Sequence, residues 1–231
     1  MTRLLDILFS FTALLVLLPL LLPVVLVLRF TGEGEVFYLQ ERVGRGRETI
    51  SLFKFATMLK DSPKMGAGTI TVKDDPRVLP FGSLLRKTKI NELPQLFNVL
   101  KGDMSLIGPR PLTPETFGMY ASEAQIEISK VRPGLSGIGS IVFRDEEAML
   151  EGDDDPAAFY RENIAPHKAR VELWYISNRS LGLYMKLIFM TVWAVIFPGS
   201  KAHEKLFTGM PKMPRNLEVN IERGDVAVRG K

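Results

Sequence analysis

The stretch from Arg86 to Pro111, RKTKINELPQLFNVLKGDMSLIGPRP, concentrates the residues best suited to chemistry. Glu92 is a carboxylate that directly follows the amide Asn91, and Arg86 and Arg110 stand near the two ends of the stretch. Lys101-Gly102-Asp103-Met104-Ser105 and Gly108-Pro109-Arg110-Pro111 are two constrained turns with only Leu106 and Ile107 between them. Such turns fix backbone N–H groups and one guanidinium in space. The planar fork of arginine donates two hydrogen bonds to one anion, so holding a diphosphate is the chemistry this arrangement suits. A plainly structural account covers part of the stretch. In it Asn91 is an N-cap, Pro94 lies in the first turn, and Leu93, Leu96, Phe97 and Leu100 form one face of a helix ending at Gly102. That account leaves the second turn and its arginine without a reason.

The element that decides where this chemistry takes place is N-terminal. Between Asp6 and Arg29 run 22 uncharged residues, ILFSFTALLVLLPLLLPVVLVL. At about 1.5 Å per helical residue they reach the roughly 30 Å of a bilayer core. The run is long for a signal peptide and no small-x-small cleavage site follows it, so it reads as a retained anchor. Pro19 and Pro23 each remove a helix hydrogen bond and kink the chain. Arg3 lies on one side, and Arg29, Arg42, Arg45 and Arg47 on the other, which favours both ends on the cytoplasmic face. A helix that enters, bends near Pro19 and returns meets this condition; a straight or kinked transmembrane helix is the other reading.

Composition narrows the partners. Net charge is +4 with a pI near 9.3, and the basic residues are scattered singly or in short groups. A nucleic-acid footprint is not indicated; anionic lipid headgroups or a nucleotide diphosphate fit better. With no cysteine, disulfides and thiolate metal sites are excluded, and His167 and His203 lack ligand spacing.

Along the water-facing part, Val36–Tyr38 and Thr49–Phe53 alternate as short strands joined at Gly44 and Gly46. Lys54 has two readings, a phosphate contact or a solvated lysine beside a strand. Residues 61–76 read as a loop. A helix is expected from Gly82 to about Thr88, with Leu84 and Leu85 inward. The run Asp145-Glu146-Glu147 reads either as a solvated helix start or as a source of carboxylates. Residues 157–180 suggest amphipathic helices broken at Pro166. Leu181–Pro198 is apolar but short, and suits a helix lying in the interface with Trp193 at headgroup depth. Residues 201–231 read as a polar tail.

Taken in order, these motifs resemble the bacterial sugar transferases, small monotopic polyprenyl-phosphate phosphoglycosyl transferases. The resemblance covers roughly residues 3–190. It is densest at 86–111, with a second match at Val131-Arg132-Pro133-Gly134-Leu135-Ser136-Gly137. It implies an α+β, mostly helical fold: a re-entrant helix-break-helix anchor over 1–30, a catalytic domain over 31–200 with a small β-hairpin and interface-lying helices, and a tail over 201–231. It implies transfer of a phosphosugar from a UDP-sugar to a membrane polyprenyl phosphate at the cytoplasmic face of the bacterial inner membrane, as the first step of surface polysaccharide assembly. In the family scheme a carboxylate attacks the β-phosphate, UMP leaves, and the lipid phosphate then displaces the carboxylate, with Mg²⁺ as cofactor. Glu92 would be metal ligand or nucleophile, Arg86, Arg110 and Arg132 would hold phosphates, and Lys54 would assist. A homodimer is among the expected partners.

Four positions depart from the family pattern. Leu18 stands where Ser usually precedes the helix-breaking proline, Ala56 where Arg is usual, and Tyr184 where Asp is usual. Above all, Asn91 stands where the nucleophilic Asp is expected, and an amide oxygen is a poor nucleophile. Four explanations are open: Glu92 takes over; another carboxylate reaches in, with Asp103, Asp145 and Glu146 as candidates; the lipid phosphate attacks directly in a ternary complex; or the chain is inactive or a substrate trap. The competing function is a non-enzymatic, membrane-anchored nucleotide-sugar-binding or assembly protein on the same scaffold. A third reading is a bitopic anchor carrying an unrelated domain.

Overall fold

The structure, a computed structural model of the 231-residue chain, describes residues 2–65, 75–144, 146–150, 155–197, 199–200, 202–214 and 217. Most of the expected loop at 61–76, most of the tail and Asp145 lie outside the described residues. The fold is mostly helical with two small sheets, in keeping with the expected class.

Helix α1, Thr2–Phe30, is a single element. The break expected at Pro19 does not interrupt it, and the chain stays helical through Pro19 and Pro23 although neither can donate a backbone hydrogen bond. Its surface is the reverse of a soluble helix. Leu4, Leu8, Phe11, Leu15, Val16, Leu22 and Leu26 are exposed, whereas Asp6 and Ser10 are buried. Both ends of α1 contact the same folded body. Arg3 donates to the carbonyls of Val99 and Leu100 at 2.5 and 2.8 Å. Leu21, Val24 and Leu28 pack with Phe55 and Leu85.

Strands β1 (Phe37–Val43) and β2 (Thr49–Phe55) form the expected antiparallel hairpin, with Tyr38 opposite Lys54 and Arg42 opposite Ile50. Helix α2 (Pro80–Lys87) buries Leu85 but leaves Leu84 exposed. Adjacent helical residues point about 100° apart, so the expectation that both face inward fails on geometry.

A 3-10 turn, Ile90–Glu92, precedes helix α3 (Gln95–Lys101). Asn91 lies inside this turn and is not the N-cap of α3. The N–H of Leu93 is already bonded to Ile90 O, and Pro94 has none to offer. Phe97 is exposed while Asn98 is fully buried. The polar side chain takes the inward place because β2 satisfies it: Asn98 donates to Ser51 O at 2.8 Å and accepts from Phe53 N at 2.9 Å. Gly102, at φ +104°, closes α3 in the left-handed conformation, as the sequence predicts.

The residues between the two expected turns form strand β3 (Ser105–Ile107). It pairs in parallel with β4 (Gly134–Ser136) after helices α4 (Pro114–Gly118) and α5 (Ser122–Ser129). The crossing is so close that a Cβ on Gly134 would sit 2.1 Å from Gly108 N. Short helices α6 (Ile138–Val142), α7 (Glu146–Met149) and α8 (Pro156–Phe159) lead into a π turn at Tyr160–Ile164, and α9 (Ala165–Ser177) follows. The interruption expected at Pro166 is this π turn, because the proline cannot make the preceding α bond.

Helix α10 (Leu181–Ile196) buries Tyr184, Leu187 and Met190 and exposes Met185, Phe189, Val192 and Ile196. A short α11, Ala202–Leu206, ends the described core. The main core gathers Ile107, Ile138, Ile164, Val171 and Leu187, so β3, α6, α9 and α10 pack as one unit. Of the described helices, α1 alone is long and apolar enough to cross a membrane by length and composition.

Candidate active site at the hairpin face

Three pieces of chain meet at the site. The first is one face of the hairpin. Side chains alternate along a strand, so Gln40 and Arg42 of β1 share a face with Lys54 of β2. Lys54 Nζ donates to Gln40 Oε1 at 2.8 Å, and Arg42 Nε is buried without a hydrogen-bond partner among the described residues.

The second piece is the 3-10 turn, which carries Glu92. The third is the turn after β3. Gly108 N donates to Ser136 O at 2.9 Å, and Pro109 O accepts from Gly134 N at 2.8 Å. Arg110 N donates to Glu172 Oε1 of α9 at 3.2 Å. The backbone of the Gly-Pro-Arg-Pro turn is thus tied on both sides. Arg110 Nη2 then meets Glu92 Oε1 at 3.0 Å. The Arg110 side chain is 36% exposed and that of Glu92 17%, so the pair can be reached by a ligand.

Charge is unbalanced here. Burial alone would raise the Glu92 carboxyl, but Arg110 and Lys54 override it and hold the group at about 2. Burial lowers the Lys54 ammonium to about 7, with Arg42, Arg110 and Arg86 pushing the same way against Glu92. Burial and the nearby Arg110 lower Arg42 to about 10. Arg110 is raised by Glu92. Behind it, burial raises Glu172 to about 7 against the bond from Arg110 N, and Glu172 Oε2 is buried without a partner among the described residues. Several cations therefore face one permanently ionised carboxylate. An arrangement of this kind takes up a polyanion such as a diphosphate.

The family model for bacterial sugar transferases matches residues 1–198. The chain belongs to the bacterial sugar transferase family. It is 37% identical over 195 residues to the exopolysaccharide production protein PSS of Rhizobium leguminosarum bv. phaseoli, covering 82% of this chain and 92% of that one. It is 36% identical over 200 residues to an undecaprenyl-phosphate glucose phosphotransferase of Komagataeibacter xylinus, covering 84% of this chain and 36% of the relative. A UDP-N-acetylgalactosamine-undecaprenyl-phosphate N-acetylgalactosaminephosphotransferase of Aeromonas hydrophila is 34% identical over 193 residues, covering 83% of this chain and 42% of the relative.

This sugar transferase brings together most of the residues expected to act. Glu92, Arg110 and Lys54 form the centre. Arg86 is felt by Lys54 and lays Nη1 3.9 Å from Met58 Sδ. Glu146 lies close enough to act on Arg110, and its own carboxylate is bonded to the buried Lys168. Asn91 is buried with Oδ1 unpaired among the described residues.

Two expected residues lie elsewhere. Arg132 Nε donates to Gly102 O at 3.0 Å, at the far end of α3 from Glu92. Asp103 accepts from Asn98 at 3.2 Å and pairs with Lys101 at 3.1 Å, so it fastens the end of α3 rather than reaching the Glu92 cluster. Both corrections have one cause: the seven residues of α3 lie between the turn that carries Glu92 and the Gly102–Asp103 end where these two side chains bond. Asp145 lies outside the described residues.

Gln40, Arg42 and Glu172 also meet here, outside the residues that the sequence motifs single out. Strand alternation signalled the first two, because residues 38, 40 and 42 share a face with whatever pairs with them. Glu172 carried no signal, being one acidic residue in an amphipathic helix. Asp6 is a further contact group. It accepts from Ser105 Oγ at 2.8 Å, Leu106 N at 2.9 Å and Tyr184 Oη at 2.7 Å, joining α1 to β3 and α10. The Tyr184 departure is therefore a hydroxyl that donates to a buried carboxylate.

Proposed function

We propose that the protein transfers a phosphosugar from a UDP-sugar to a membrane polyprenyl phosphate, giving a polyprenyl-diphosphate sugar and UMP and opening the assembly of a surface polysaccharide. The observation that carries this reading is the set of cations around Glu92 at 3.0 Å from Arg110. The names of the relatives supply the lipid acceptor and the class of product. On this reading the site lies at the inner membrane, facing the cytoplasm. The anchor is read as re-entrant: Arg3 and Asp6 at one end and Leu28 at the other touch one folded body, which supports keeping both ends on one side.

The chemistry follows from charge. Phosphoryl transfer needs positioning and neutralisation more than covalent help. Arg110 and Lys54 hold the diphosphate, and Arg86 adds positive potential. Glu92 orders both cations. No three His, Asp or Glu side chains come together among the described residues to hold a metal unaided. Glu92 is the residue that would hold Mg²⁺, an ion that commonly needs only one or two carboxylates from the protein. When bound it would supply charge neutralisation at the diphosphate.

The displacement is read as direct. An oxygen of the lipid phosphate bonds to the β-phosphorus while the bond from that phosphorus to the bridging oxygen breaks, and UMP leaves with the electron pair. Three facts support this. Asn91 offers an amide, Glu92 is an ion-paired and weakly basic carboxylate, and Asp103 and Glu146 are bonded elsewhere. The test is UMP release with Mg²⁺, polyprenyl phosphate and a panel including UDP-glucose and UDP-N-acetylgalactosamine. No release with any sugar sinks the enzymatic reading and leaves a binding protein. A phosphosugar label trapped on Glu92 would replace direct displacement by a covalent route.

A further inference from the structure

We propose that Arg42 is a phosphate ligand, the second guanidinium of a two-arginine clamp that it forms with Arg110 across the Glu92 cluster. The inference rests on reading that cluster as a diphosphate site, and it adds a residue with no place in the motif block.

A buried guanidinium is normally consumed by a carboxylate or by carbonyls, because leaving it unpaired costs more than the bond itself returns. Arg42 Nε breaks this expectation: it is buried and has no partner among the described residues. No ion pair to Arg42 accompanies it there, although its strand neighbour Gln40 is already bonded to Lys54. The charges that act most strongly on Arg42 are Arg110, which repels it, and Glu92, which attracts it. Glu92 is committed to Arg110 at 3.0 Å. Two arginines and a lysine thus converge with one carboxylate among them, and the donor left over is a guanidinium edge.

Backbone geometry ties the two arginine-bearing segments together. Arg42 is paired opposite Ile50 in the ladder, and Val43 N donates to Leu112 O at 2.9 Å, two residues beyond Arg110. The strand carrying Arg42 is therefore hydrogen-bonded to the segment that carries Arg110. Two guanidinium groups carried on linked segments suit a phosphate or diphosphate, whose several oxygens accept two forks at once. A neutral sugar hydroxyl would not answer the repulsion between the two cations.

The test is equilibrium binding of UDP, inorganic pyrophosphate and uridine to the full chain in nanodiscs, with wild type, Arg42→Gln and Arg42→Lys. Loss of one charge-assisted donor predicts roughly 10- to 100-fold weaker binding of UDP and pyrophosphate for Arg42→Gln. Arg42→Lys should fall between, since charge is kept and the fork is lost. Uridine binding should not change. If Arg42 only braces the hairpin, Arg42→Gln will lower the melting temperature while the ratio of UDP to uridine affinity stays at the wild-type value. That result overturns the clamp. If Arg42→Gln fails to fold, Arg42→Lys decides by the same ratio. Failure of wild type to release UMP would count against the transfer reaction alone, because pyrophosphate binding is read without turnover.

Discussion

Raising the pH from 8 to 9 is expected to weaken UDP binding about tenfold, and the cause is Lys54. Its ammonium is lowered to about 7, first by burial and then by the repulsion of Arg42, Arg110 and Arg86. In the free protein about a tenth of Lys54 carries its proton at pH 8 and about a hundredth at pH 9. A diphosphate beside the amine restores the proton, so binding above pH 7 takes up one proton, and each pH unit costs about 1.4 kcal/mol of affinity. The window is chosen to isolate this group. Glu172, raised to about 7, is ionised by pH 8; Arg42, lowered to about 10, loses its proton only above pH 9; and Glu92, at about 2, is ionised throughout. Stability moves the other way. The unfolded chain keeps the lysine proton up to about 10.5 while the folded chain loses it near 7, so the unfolded state binds more protons and stability rises with pH between these values. Weaker binding therefore cannot be excused as unfolding. The measurement is calorimetric titration with UDP at pH 8.0, 8.5 and 9.0 in buffers of different ionisation heat, on wild type and Lys54→Arg. An arginine stays charged across the range and should flatten the slope. A flat wild-type profile, or an unchanged slope in Lys54→Arg, refutes the argument.

Four further outcomes follow. Glu92→Gln should lower UMP release by at least about 100-fold without weakening UDP binding, because it removes a negative charge from beside the ligand; steady-state rates and binding isotherms separate the two effects. Asn91→Asp restores a carboxylate where the family carries its nucleophile. Incubation with labelled UDP-sugar should give a protein-linked phosphosugar in that variant and none in wild type, as intact-mass spectrometry would reveal. Tyr184→Phe removes one donor from the buried Asp6 and should cost about 1–3 kcal/mol in thermal unfolding, whereas Tyr38→Phe on the exposed hairpin should cost little. Asp103→Asn should change UDP affinity less than about threefold, since its bonds are to Asn98 and Lys101.

The parts of the fold that could be read in advance were those coded by local rules. The hairpin followed from alternation around Gly44 and Gly46, and the end of α3 from Gly102, which takes the left-handed conformation a side chain would resist. The site is legible where a turn is constrained by its own residues: Arg110, between two prolines, meets Glu92. What could not be read were distances through the fold. Asp103 lies in the same block as Glu92, yet α3 puts it at the opposite end of the helix, and Arg132, from the second motif, bonds at that same far end. Leu84 and Phe97 looked internal by type, but Leu85 and Asn98 take the inward positions. In the second case a polar side chain wins because β2 supplies its partners. Glu172 became visible only when α9 placed it behind Arg110 N.

One connection explains why anchor and site are built as a unit. Asp6 lies on the first turns of the apolar helix, and its carboxylate holds both the hydroxyl of Ser105 and the N–H of Leu106. These are the first two residues of β3, and Arg110 follows three residues after the strand ends. On its other side β3 is bonded to β4, where a glycine contact too tight for a side chain fixes the register. The path from the apolar helix to Arg110 is thus short. Were the anchor only a tether, a loose linker would serve, as it does for soluble domains attached to membranes. A buried carboxylate would then be a pure cost, because burying a charge is tolerated only when its bonds are satisfied. Asp6 has those bonds, and every one of them runs to the element that carries the site or to α10, whose outer face is apolar. The height of Arg110 relative to the apolar surface is accordingly set by covalent and hydrogen-bonded geometry. A lipid phosphate fixed at headgroup depth requires such a setting in the protein that meets it.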